Sequence, residues 1–257
     1  NKGQLLRRHE YNEREIIGTG LERSSDRIGL QLVAESSPFD EDFGAGSLFI
    51  GTHHKIQPPA SMIRFSLDDG SYEVFSHKGF FSRMIPRDLD GDGRKELLLA
   101  GYNIALDAPV IIALDPYHVG GSSPHGACYN INGRNIDIAK YYIRLPLFDG
   151  YEKYPSRFMP LRLKILENSD DLRFVVKSRS EDVVYTVGEG PDFSDVEIVE
   201  MIRSSSGKVD SFVTMTYPEV DEKKRELLKG VRFWDGESWV ARPTANRSYH
   251  KHMREGG

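Results

Sequence analysis

Nine consecutive residues concentrate the chemistry of this chain: Asp88-Leu89-Asp90-Gly91-Asp92-Gly93-Arg94-Lys95-Glu96. Carboxylates stand at the first, third, fifth and ninth places of the stretch. Its two glycines let the backbone turn through conformations that other residues avoid. Acids this close repel one another unless a cation lies between them. Calcium, a hard divalent cation, takes about six to eight oxygens from carboxylates, carbonyls and water. The spacing therefore predicts a calcium loop in which Asp88, Asp90, Asp92 and Glu96 supply side-chain oxygens and Arg94 a backbone carbonyl.

The spacing also excludes an EF-hand, whose loop needs a bidentate Glu at its twelfth position and a helix on either side. Counted from Asp88, the twelfth residue is Leu99. It lies in Leu97-Leu98-Leu99-Ala100-Gly101, an apolar run closed by glycine, which reads as a buried strand. The element that must position the loop is thus the strand beginning at Glu96.

That strand belongs to a repeated pattern. Ser47-Leu48-Phe49-Ile50-Gly51-Thr52, then Met62-Ile63-Arg64-Phe65-Ser66-Leu67-Asp68, makes one two-strand unit. Glu96–Gly101, then Val110-Ile111-Ile112-Ala113-Leu114-Asp115, makes a second, and Leu172–Lys177, then Val183–Val187, a fainter third. Leu67-Asp68 and Leu114-Asp115 stand 47 residues apart, Leu48 and Leu97 49 apart. Periods of about 40 to 50 residues with several strands each are the spacing of propeller blades. Only the second unit carries the cation loop. The matching place in the first, Phe39–Gly46, lacks the regular acid spacing of a cation loop, and that in the third, Glu167-Asn168-Ser169-Asp170-Asp171, lacks the glycines and alternating acids.

Residues 1–15 read as a lead-in, 16–242 as a single β domain and 243–257 as a polar tail. Glu219–Lys229 has acids early, bases late and Gly230 after it, which are helix start and stop signals. Val231–Trp234 and Glu237–Val240 flank Asp235-Gly236 and read as a β-hairpin bracketed by Trp234 and Trp239. Pro116–Gly126 is a long glycine-containing loop, a length at which loops are often functional.

Other chemistry is absent from the pattern. There is no P-loop, dinucleotide fingerprint or His-Glu-x-x-His. Cys128 is the only cysteine, so an internal disulfide is excluded. His53 and His54 are adjacent and would point to opposite faces of a strand. The net charge is -5, and no basic surface for nucleic acid is indicated. No apolar run approaches the roughly 20 residues of a membrane span.

Asp88 through Gly101 resembles the calcium motif of FG-GAP (VCBS) repeats, in which the acidic loop is followed by an apolar strand and a glycine. Ala113-Leu114-Asp115-Pro116 and Gly121-Ser122-Ser123-Pro124 are similar to bacterial propeller-type proteins carrying such repeats. The resemblance is strong over residues 80–125. It implies a β-propeller, calcium in a structural role, and extracytoplasmic recognition of proteins or glycans. This chain departs from it in keeping one intact loop where such proteins often have several.

The expectation is an all-β fold: a β-propeller-like array of about five small antiparallel sheets, with one short helix near the C-terminus. It holds Ca2+ and binds a protein or glycan ligand in an extracytoplasmic setting, with the chain a fragment of a larger anchored protein as one form. A loop this simple binds calcium weakly, which suits millimolar external calcium. The alternative is a carbohydrate-active enzyme, a glycan hydrolase or lyase. Trp234, Trp239 and Gly120–Gly126 would line its mouth, and no catalytic residues are assigned. A third reading is a purely structural subunit.

Overall fold

The run Leu97-Leu98-Leu99-Ala100 has no polar face, so a strand made from it must be covered on both sides. The computed structural model meets that demand with three stacked sheets. It describes residues 30–33, 47–54, 60–124, 137–147, 163–168, 171–177, 181–187, 196–204, 212–214 and 218–256.

The first sheet joins β1 (Leu30–Val33), β2 (Ser47–His54), β3 (Ala60–Ser66) and β4 (Tyr72–His77) antiparallel, with β8 (Gly121–Ser122) parallel to β4. The middle sheet is antiparallel throughout. Its order is β16 (Trp239–Val240), β15 (Arg232–Trp234), β9 (Tyr141–Arg144), β7 (Ala108–Leu114), β6 (Glu96–Asn103), β5 (Gly79–Arg87). The third is a meander of β10 (Leu163–Asn168), β11 (Asp171–Lys177), β12 (Glu181–Val187), β13 (Val196–Ser204) and β14 (Phe212–Thr214). Two helices complete the described residues, α1 (Pro218–Lys229) and α2 (Arg247–Gly256).

Strand alternation sends successive side chains of the middle sheet to opposite cores. Leu97, Leu99, Val110, Ile112, Leu114, Tyr142 and Trp234 pack with Phe49, Met62 and Phe75 of the first sheet. Leu98, Ala100, Ile111, Ala113, Ile143 and Phe233 pack with Phe174, Val176, Tyr185, Ile198 and Met201 of the third, and with Val220 and Leu227 of α1. Each fully buried Leu or Ile contributes roughly 2 kcal/mol through apolar area removed from water.

The three two-strand units are the antiparallel pairs β2–β3, β6–β7 and β11–β12, one in each sheet. The fold is mostly β, as expected, but the described residues form three sheets, against about five expected for the chain, and no closed ring. The expected helix is α1, and Gly230 ends it with a turn bond from its N–H to the Leu227 carbonyl at 2.9 Å. The expectation of one helix is corrected by α2, which lies in the segment read as a polar tail. Its sequence has no apolar run. What docks it is the buried Tyr249 ring and the buried amide of Asn246. The lead-in, the Phe39–Gly46 loop and Cys128 lie outside the described residues.

Candidate metal centre

The acidic stretch is the connection between β5 and β6, and the pair Arg87–Glu96 closes it. Its shape comes from its own backbone. Asp88 accepts the Gly91 N–H on Oδ1 at 2.7 Å and the Gly93 N–H on Oδ2 at 2.9 Å. Both glycines sit at positive φ, 70° and 83°, where other residues are strained. Arg94 N–H donates to Asp92 Oδ1 at 2.7 Å, and Leu89 N–H to Glu96 Oε2 at 2.7 Å. The Leu89 side chain is buried in the core facing the third sheet, so the loop is pinned from below.

Of the expected ligands, Asp88, Asp90 and Glu96 converge. Each offers an oxygen within 4.8 Å of the others. Asp92 stands at the rim, its side chain 46% exposed. Arg94 is exposed and meets the loop through its N–H bond to Asp92.

A fourth participant was not foreseen. Lys140 Nζ lies 2.6 Å from Glu96 Oε1, 2.8 Å from Asp90 Oδ2 and 3.5 Å from Asp92 Oδ2. The Tyr141 hydroxyl donates to Asp90 Oδ2 at 3.2 Å. Burial alone would pull the Lys140 pKa down, but the hydrogen bonds and charges of Asp90 and Glu96 outweigh it and hold the ammonium above the usual lysine range. Burial pushes the Glu96 carboxyl up, against the Lys140 and Leu89 donors. With a contact of 2.6 Å to a cation, the ionised pair is the state the geometry supports. Asp92 is lowered, first by the Arg94 N–H.

Sheet order delivers the lysine. Tyr141 pairs with Ala113, and Leu114 pairs with Leu97, so Lys140 stands at the same end of the middle sheet as Glu96. Asn246 then fixes its backbone. Its N–H donates to the Lys140 carbonyl at 3.0 Å, its Nδ2 to the Ala139 carbonyl at 2.9 Å, and its Oδ1 caps α2 by accepting Ser248 N–H at 2.9 Å. The one sequence signal was a lysine inside Ile138-Ala139-Lys140-Tyr141-Tyr142-Ile143, since a lysine is almost never buried unpaired.

The residues fit a hard cation in kind. All the donors are oxygens, and Asp90 Oδ1 is sealed from solvent without a partner. One oxygen each of Asp90 and Glu96, Oδ2 and Oε1, is held by the ammonium.

A second polar cluster lies on the face of the middle sheet toward the first sheet. Asp137 accepts a hydrogen bond from Trp234 Nε1, and its Oδ1 is sealed without a well-aligned partner. Burial pushes its carboxyl up to about 7, against the pull of Trp234, Asn246 and the Ala139 N–H. Asp137 bridges to Ser122, and Trp234 packs on Trp239 with ring centroids 5.2 Å apart. Tyr142 accepts from Asn103 Nδ2 at 2.8 Å and meets Trp239 edge-on at 5.9 Å. The wholly buried His77, 6.4 Å from the Tyr142 ring, bonds the Tyr102 carbonyl through Nε2 while Nδ1 has no partner. Burial lowers its pKa to about 3. The sequence pattern marks Trp234, Trp239 and the Gly120 loop, but neither Asp137 nor His77.

No helix among the described residues is long and apolar enough to cross a membrane. No family model, curated protein or solved structure matches the chain.

Proposed function

We propose that this chain is a calcium-organised binding module, built from propeller-type sheet units, that recognises a protein or glycan ligand outside the cytoplasm. The observation that carries the calcium reading is the convergence of Asp88, Asp90 and Glu96 oxygens within 4.8 Å, in a loop already bent by its own backbone bonds. A preorganised loop loses less conformational freedom on binding. Calcium tolerates such an irregular oxygen set, whereas magnesium demands compact octahedral geometry and sheds water reluctantly. The ion's role is structural. Leu89 and Leu97 tie the loop to opposite cores, so its order is transmitted to the middle sheet. Binding to the native state alone stabilises it by about 2.7 kcal/mol at a hundredfold excess over Kd.

The propeller part is supported by one two-strand unit in each of the stacked sheets. The resemblance of Asp88–Gly101 to FG-GAP repeats supports the ligand class and the external setting. Calorimetry and thermal unfolding in calcium and in chelator test the metal. Wild type should give binding heat and a higher Tm in calcium, and Asp90→Ala should lose both. Absence of heat with an unchanged Tm refutes the reading. Arrays of glycans and extracellular proteins probe the ligand.

The enzyme reading keeps one specific observation. Asp137 is a carboxyl beside Trp234 whose pKa burial raises to about 7, the range in which a general acid works near neutral pH. A glycan-hydrolysis screen decides it: turnover lost in Asp137→Asn but kept in Asp90→Ala supports the enzyme, and no turnover in wild type ends that reading.

A further inference from the structure

We infer that the Lys140 ammonium is a built-in competitor for the calcium loop, so that the chain carries its own monovalent occupant and releases it when calcium binds. The inference rests on the calcium reading above and adds what sets the affinity.

Geometry carries it. An ammonium has three donors, and Nζ of Lys140 faces Glu96, Asp90 and Asp92 at 2.6, 2.8 and 3.5 Å. The side chain is 10% exposed, and Asn246 anchors the backbone, so the charge is built in rather than arriving from solvent. A calcium ion bonded to the same Asp90 and Glu96 oxygens would stand within about 5 Å of Nζ. Two cations at that separation in a half-buried site repel strongly. Meanwhile the loop keeps unspent acceptor capacity, because Asp90 Oδ1 has no partner. The loop is therefore held together without calcium, at the expense of calcium affinity. Stability and metal binding are opposed at one side chain.

The test titrates calcium chloride into wild type, Lys140→Met and Lys140→Gln by calorimetry. Removing the charge while keeping the stem should tighten calcium binding at least about tenfold. Both variants should melt below wild type in chelator and gain more from calcium. If a variant does not fold in chelator, it is refolded in calcium, and a measurement on wild type decides in parallel. Lysines are reductively methylated with and without calcium and read by mass spectrometry. Lys140 should react slowly in chelator and faster in saturating calcium.

Calcium binding in the variants no tighter than in wild type overturns the inference and leaves the calcium reading standing. So does Lys140 labelling that calcium leaves unchanged, since the ammonium then remains beside the bound ion. Failure of both wild type and variants to bind calcium overturns both.

Discussion

Asp137→Asn should make the protein more stable as pH rises, and the size of the gain follows from one buried carboxyl. In the fold, burial moves the Asp137 pKa from 3.8 up to about 7. The unfolded chain gives up that proton above about pH 4, while the folded chain keeps it to about 7. Across this window the native state binds one more proton than the unfolded state, so stability falls as pH rises. The contribution is whole below the unfolded pKa and lost by the folded one. A shift of about three pH units at 1.36 kcal/mol each amounts to roughly 4 kcal/mol withheld at pH 8. Asparagine keeps an acceptor for Trp234 Nε1 and cannot ionise. Its added N–H pair, placed where Oδ1 has no well-aligned partner and where Asn246 and the Ala139 N–H are donors themselves, offsets part of the gain. The variant should therefore match or fall slightly below wild type at pH 4. At pH 8 it should exceed wild type by about 2 to 4 kcal/mol, roughly 10 °C in Tm. Urea unfolding of both proteins at several pH values between 4 and 8 measures it. A difference that stays constant across that range would refute the burial argument.

His77→Gln should act in the opposite sense. His77 stays neutral in the fold down to about pH 3, while the unfolded chain takes a proton below about 6.5. Wild type thus loses about 1.4 kcal/mol per pH unit on acidification below 6.5. The variant should recover about 3 kcal/mol relative to wild type between pH 7 and 4, read by the same unfolding series. Gly79→Ala should cost roughly 3 kcal/mol in urea unfolding, because an added Cβ would lie 1.7 Å from the Tyr102 carbonyl oxygen, a backbone atom that cannot step aside. Asn246→Ala should cost about 3 kcal/mol, since it uncaps α2 and leaves the Ala139 carbonyl without its partner. Amide exchange at Ser248 should accelerate in that variant.

Much of the local structure was legible because local rules set it. Asp88–Glu96 announces a turned acidic loop through glycine placement and alternating carboxylates, and the loop is there. The uninterrupted Leu97–Ala100 run demanded cover on both faces and receives it. Pro218–Lys229 forms the expected helix, and the Asp-Gly hairpin pairs Trp234 with Trp239 directly. Each of these depends on neighbours a few residues away in the chain.

What the tertiary structure decided is charge and company. Lys140 meets Glu96 only because β9, β7 and β6 lie side by side in the middle sheet. Asp137 holds its proton only because the surrounding core excludes water from it, against the pull of the Trp234 N–H. The polar segment after Pro243 becomes a docked helix only because Asn246 finds the Ala139 and Lys140 backbone. Spacing along the chain sets backbone shape, but Coulomb energy and desolvation depend on distance through space and on the water left between groups. Only the folded sheets supply those.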